Sequence, residues 1–205
     1  MAEPYPIPVG PLRVEYQVVN SRFIAQISRA DDAAAARAFI KSIRDSMPEA
    51  SHHVYAYKIG YGKNTLEGMS DDGEPSGTAG PPALAVIRGA ALGDVVLVIT
   101  RYFGGTKLGT GGLVAAYTQG AQLALGALKT ELKIARYAVG VSIAYPLYER
   151  LKQLCERYEA IMQGEDFGAE VTCYLALPQS HWAAFQADIT ELSHGQAAPI
   201  LLEEA

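Results

Sequence analysis

Apolar and polar positions alternate with period two from residue 12 to 18. Leu12, Val14, Tyr16 and Val18 are separated by Arg13, Glu15 and Gln17, the pattern of a half-buried strand. Asn20-Ser21 reads as a turn, after which Phe23, Ala25 and Ile27 continue the alternation as a hairpin partner. Asp31 or Asp32 then caps a helix running to about Met47, with Phe39, Ile43 and Met47 on one face and Arg37, Lys41 and Arg44 opposite. His53, Tyr55, Tyr57 and Ile59 share one face of the next strand, and a short strand over 65–69 pairs with it. A helix capped by Thr78 or Gly80 runs to about Ala91, its first turn tolerating Pro81 and Pro82. Val95 to Ile99 is apolar without alternation, which predicts a central strand covered on both faces. Residues 110–128 form a helix rich in Ala and Gly, packed on most sides. Residues 1–11, with four prolines, read as a loose lead-in, and residues 131–135 as a hinge.

From Arg136 the pattern restarts. Tyr137, Val139, Val141 and Ile143 alternate; Leu147, Leu151, Leu154 and Cys155 follow at helical spacing behind Pro146. A strand near 160–162, a turn over 164–168, and a longer strand at Val171, Cys173, Leu175 and Leu177 come next. A helix carrying Trp182, Phe185, Ile189 and Leu192 ends at Gly195, and a last strand lies at 200–202. The order βαββαβ predicts a ferredoxin-like unit. The expected fold class is α+β in two domains, 1–134 and 135–205.

Composition narrows the function. A hydrophobic fraction of 49% and a charged fraction of 19% describe a globular chain. No apolar run reaches the ~20 residues of a membrane helix, and no basic and apolar leader opens the chain, so a cytoplasmic protein without a membrane partner is expected. Two cysteines, Cys155 and Cys173, make neither a disulfide framework nor a metal spacing. The net charge of −5 is uneven: residues 1–135 carry 13 Lys and Arg against 12 Asp and Glu, and the remainder 4 against 10. A nucleic-acid partner would meet a local basic patch in the first part, not a basic domain.

That patch has a natural place. Between Asp94 and Lys129 the only charged residues are Arg101 and Lys107, and both lie beside the run Arg101-Tyr102-Phe103-Gly104-Gly105-Thr106-Lys107-Leu108-Gly109-Thr110-Gly111-Gly112. This reads as strand, glycine-rich loop and helix start, a place where unpaired N–H groups favour an anion. Arg101 and Lys107 are the expected phosphate ligands, with N–H groups from Thr110 to Gly112 completing a cradle and Tyr102 or Phe103 able to stack a base. The run is neither a P-loop, since Thr110 and Gly111 follow Gly109, nor a dinucleotide fingerprint, which lacks its third glycine.

A second stretch, Asp71-Asp72-Gly73-Glu74-Pro75-Ser76-Gly77-Thr78-Ala79-Gly80, places three carboxylates within four residues of a loop stiffened by glycine and proline. With His53 these carboxylates either form an acid–base or divalent-metal site or shape the loop, accepting its N–H bonds and pairing with Arg101. No cofactor is expected.

Together, the acidic loop and the Arg-Tyr-Phe-Gly-Gly loop resemble the Impact/YigZ family, in the right order and at suitable spacing across the whole chain. The resemblance implies an N-terminal domain similar to the second domain of a small-subunit ribosomal protein and a ferredoxin-like C-terminal domain of the bacterial members. It also implies a role near translation. Eukaryotic members restrain the starvation-activated kinase of translation initiation and carry an extra N-terminal domain; these 205 residues are read as holding no counterpart, so the kinase role is not carried over. The expected function is a translation-associated regulatory protein binding RNA, the ribosome or another phosphate-bearing partner. The alternative is an enzyme acting on a phosphorylated small molecule through the acidic loop.

Overall fold

In the computed structural model, residues 4–62 and 65–202 are described, and they divide into two compact units, Tyr5–Lys133 and one built mainly from Ile134 onward. The first unit contains β1 (Tyr5–Pro8), β2 (Leu12–Val18), β3 (Ser21–Arg29), α1 (Ala33–Ser46), β4 (His52–Ile59), β5 (Leu66–Ser70), α2 (Gly80–Gly89), β6 (Val95–Tyr102), α3 (Gly109–Ala127) and β7 (Thr130–Lys133). Five strands form an antiparallel sheet in the order β2-β3-β6-β4-β5. The unbroken apolar run is the middle strand, β6, and each face of it has its own cover. Val95, Leu97 and Ile99 pack with Phe23, Ala25, Ile27, Val54 and Ala56 against α2 and α3. Val96 and Val98 turn to the other face and meet Ala36, Ile40 and Ile43 of α1. Burying each such side chain is worth about 1.5–3 kcal/mol, so β6 anchors both layers.

α1 begins where its carboxylate cap was expected, with Asp32 accepting from the Ala35 N–H at 2.7 Å. The small residues of α3 have a packing reason at Gly120: a Cβ there would lie 2.2 Å from the Tyr16 Oη, which donates to the Ala116 carbonyl at 2.9 Å. Two expectations are corrected. The proline-rich lead-in, beyond its first three residues, which lie outside the described ones, contains β1, and most of the expected hinge is β7; the two pair antiparallel from Tyr5↔Lys133 to Pro8↔Thr130. Prolines are tolerated there because the ribbon has only two strands, leaving each an open edge. The ribbon is tied to the sheet by Asp94, buried and at φ 49°, which accepts from the Gly60 N–H at 2.7 Å, the Tyr5 hydroxyl at 2.9 Å and Lys133 Nζ at 2.5 Å.

The second unit runs β8 (Arg136–Ile143), α4 (Tyr148–Arg157), β9 (Ile161–Phe167), β10 (Val171–Pro178), α5 (Trp182–Leu192) and β11 (Ile200–Leu201). Its sheet order, β11-β8-β10-β9, is that of a ferredoxin-like fold. The turn expected over 164–168 is corrected: β9 continues to Phe167, and a register shift between Tyr174 and Leu175 absorbs the irregularity. Cys155 and Cys173 are buried and unpaired, and burial pushes the Cys155 thiol up to about 12.

Candidate functional site

β6 extends beyond its apolar run through Arg101 and Tyr102. A strand alternates with period two, so Arg101 shares the inner face with Leu97 and Ile99 and is only 4% exposed. A cation there needs a partner. Glu74, itself 8% exposed, supplies it from the acidic loop, Arg101 Nη1 donating to Oε1 at 2.7 Å. The Tyr117 hydroxyl of α3 donates to the same oxygen at 2.7 Å, and burial first, then Glu74, raise that phenol's pKa. Arg101 Nη2 reaches Ser21 Oγ at 3.2 Å, while the guanidinium lies 5.5 Å from the Phe23 ring centre and 5.4 Å from that of Phe103. Its Nε is buried without a hydrogen-bond partner, one of two such side-chain atoms among the described residues; the other is Gln26 Oε1. The acidic loop, β6 and α3 therefore converge at one point.

Each carboxylate of the acidic loop has a separate engagement. Asp71 accepts from the N–H groups of Gly77, Ala79 and Gly80 at 2.8–2.9 Å, closing the loop and capping the start of α2. Neither Thr78 nor Gly80 is the cap: Ala79 occupies that position, and the acceptor comes from eight residues earlier. Asp72, at φ 44°, binds Arg44 of α1 at 2.6 Å through one oxygen and the His53 backbone N–H at 2.6 Å through the other. Glu74 holds Arg101. Among the described residues no group of three His, Cys, Asp or Glu could hold a metal ion.

The histidine facing the acidic loop is His52, which sequence reasoning missed. His53 is displaced from the place expected for it because β4 alternates: its side chain turns to the α1 face and hydrogen-bonds Thr100 Oγ1 at 3.2 Å, where burial lowers its pKa. His52 pairs in register with Arg101 and donates from Nδ1 to the Asp72 carbonyl at 2.9 Å, leaving Nε2 3.8 Å from Glu74 Oε2. Strand parity relative to Arg101 is the signal that would have found it.

Beyond β6 the glycine-rich loop turns outward. Tyr102 is half-buried, with the Arg22 guanidinium 5.5 Å from its ring centre, and Phe103 is 47% exposed, its N–H bound to Ser51 Oγ at 3.1 Å. Gly104 is required by packing, since a Cβ would sit 1.8 Å from the Asn20 carbonyl oxygen. Gly104→Ala is expected to cost about 1–3 kcal/mol by overpacking, read as a lowered thermal midpoint, with loss of the bond from Asn20 Nδ2 to Thr106 Oγ1. Gly105 and Gly109 need glycine for another reason, their φ of +83° and +72°. Gly111 needs it for neither: its φ is ordinary and a Cβ would meet nothing within 4 Å.

α3 starts at Gly109 with no side-chain cap, and Lys107 and Thr110 beside it are exposed. In front lies a cavity of about 310 Å³. Its lining combines polar Glu74, Arg101, Lys107 and Thr110 with apolar Pro75, Phe103, Leu108 and Leu113. A larger groove, about 490 Å³, lies between α4 and α5 in the other unit. It mixes Arg150 and Arg157 with Asp188 and Glu191, and none of its side chains holds a buried unpartnered atom. The smaller cavity is thus the better candidate.

The Impact N-terminal domain family matches residues 19–125, just over half of the chain, and includes every residue of this cavity. The chain belongs to the IMPACT family. A domain of unknown function, DUF1949, matches residues 141–196. This IMPACT family protein is 38% identical over 204 residues to an IMPACT family member of Haemophilus influenzae, covering 99% of this chain and 98% of the relative. It is 36% identical over 203 residues to the IMPACT family member YigZ of Escherichia coli, covering 98% and 100%. A solved structure titled as the crystal structure of a hypothetical protein is 35% identical, covers both chains fully and superposes with a TM-score of 0.73. No helix among the described residues is long and apolar enough to cross a membrane.

Proposed function

We propose that this IMPACT family protein is a translation-associated, cytoplasmic binding protein that takes a phosphate-bearing partner, RNA or the ribosome, at the start of α3. The observation that carries the reading is the uncapped start of this 19-residue helix, opening onto the cavity beside the exposed Lys107. The first N–H groups of a helix are unpaired and carry roughly half a positive charge. Gly111, glycine without a conformational or packing need, leaves that backbone open to approach.

The division of labour differs from two cations gripping one anion. Arg101 is compensated by Glu74 at 2.7 Å, so Lys107 and the N–H groups of Thr110 to Gly112 meet the phosphate. Arg101 positions Glu74 and Phe103 from behind. Family membership supports the link to translation. The enzyme alternative has less support, because the carboxylates it would use are engaged by Arg44, Arg101 and loop N–H groups.

Association with ribosomes or single-stranded RNA, measured by co-sedimentation at several salt concentrations, is expected to weaken with a slope of about −0.7 per phosphate contacted. Lys107→Ala should reduce that slope by about one contact. Gly111→Ala should weaken binding while leaving the fold as stable or up to ~1 kcal/mol more so, since alanine suits a helix better. Salt-insensitive binding that is unchanged in both variants would overturn the assignment.

A further inference from the structure

The cavity describes its ligand more closely than a phosphate alone. We infer that the unit it takes is a single nucleotide, its phosphate at the start of α3 and its base flat against Phe103. This rests on the anion-site reading above.

Three features converge. First, at about 310 Å³ the cavity stands at the small end of ligand pockets, which begin near ~300 Å³, so it holds one compact unit and not a folded element. Second, its lining offers two kinds of chemistry. Lys107 and the α3 start suit an anion; Pro75, Leu108 and Leu113 offer nothing to a sugar phosphate and much to a flat ring. Phe103 is the exposed aromatic of this lining, 47% open, and Arg101 sits 5.4 Å from its ring centre. The open ring supports a stacked base, and Arg101, whose Nε is buried without a partner, lines the same cavity. Third, Glu74 bears on the orientation. Oε1 is occupied by Arg101 and Tyr117, while Oε2 has no hydrogen bond among the described residues and lies 3.8 Å from His52 Nε2. A carboxylate oxygen without a donor accepts from the N–H groups of a base and offers nothing to a phosphate, whose own oxygens only accept. The phosphate is therefore directed to Lys107 and the base towards Glu74 and Phe103.

A free nucleotide and one unstacked nucleotide of a single-stranded RNA present the same chemistry, and titration of the full chain separates them. Calorimetry with AMP, ribose 5-phosphate and adenosine, combined with amide NMR shifts at Thr110, Gly111 and Gly112, is the experiment. AMP is expected to bind roughly 5- to 150-fold more tightly than ribose 5-phosphate, the range that one stacked base contributes. Phe103→Ala should erase that difference and Phe103→Tyr should restore it, with thermal melting confirming that both variants fold. AMP and ribose 5-phosphate binding equally, both shifting the α3 amides, would overturn the nucleotide inference and leave the anion site standing. No shift at those amides with any phosphate compound would overturn both. A short single-stranded RNA binding more tightly than AMP through the same amides supports the inference with RNA as the source; AMP binding as tightly as the RNA supports it with a free nucleotide.

Discussion

Glu74→Ala is expected to destabilise the N-terminal unit by about 3–5 kcal/mol, the cost of leaving one member of a buried ion pair without its partner. Arg101 would remain nearly inaccessible on the inner face of β6, with Ser21 as its only remaining polar side-chain partner among the described residues. The Tyr117 hydroxyl, also buried, would lose its acceptor at the same time. Urea titration followed by circular dichroism would read the loss as a lower midpoint. The double variant Glu74→Leu with Arg101→Met replaces both charges by apolar side chains and should recover the part due to the unpaired charge, since paired removal of a buried charge pair is close to neutral, while the Tyr117 hydroxyl still lacks its acceptor. A single-variant loss below about 1 kcal/mol would show that the pair is not buried in solution.

Asp71→Ala is the next largest, at about 3 kcal/mol. Its carboxylate accepts from Gly77, Ala79 and Gly80, and bonds to a charged acceptor are worth more than neutral ones. The loop that delivers Glu74 would lose its closure, so the variant should also weaken ligand binding at the cavity. The effect depends on pH. Burial raises the Asp71 pKa, but the three N–H donors outweigh it and hold the carboxyl below its ordinary value. A group depressed in the native state binds its proton more readily when unfolded. Its stabilisation is therefore complete above the ordinary carboxylate range and disappears as pH falls through the lowered native value. Stability curves of the parent and Asp71→Asn should converge at acid pH and separate as pH rises to neutrality; parallel curves would contradict this role.

Much of the architecture could be read from periodicity because the core is built from positions repeating every two or 3.6 residues. Leu12 to Ile27 alternates because one face of its hairpin meets α3, and Val95 to Ile99 does not alternate because helices cover both faces of β6. Where the period was hidden, the reading stopped. β1 carries two prolines in four residues, and its partner β7 lies more than a hundred residues away, so no local signal announced the ribbon. β9 ran on past Gly164 because pairing with β10 outweighed the local preference of Gly164, Glu165 and Asp166 for a turn.

At the candidate site, the glycine-rich run and the acidic loop were visible as unusual composition, and their pairing pointed to the family. The roles inside them were not visible. Arg101 and Lys107 are six residues apart and equally charged, yet one is on a strand facing the core and the other on an exposed loop. His52 and His53 are adjacent, and only the register of β4 against β6 decides which one faces Glu74.

The order of residues was sufficient to determine the βαββαβ unit, the central strand, the start of α3 after the glycine-rich loop and the family, because these depend on local patterns and on motifs contiguous in the chain. Which carboxylate neutralises Arg101, which histidine joins it and what lines the cavity were decided by the tertiary structure. The physical reason is that a buried charge takes whichever opposite charge the fold carries within about 3 Å. Here that partner, Glu74, is 27 residues away in the chain and only 2.7 Å away in space.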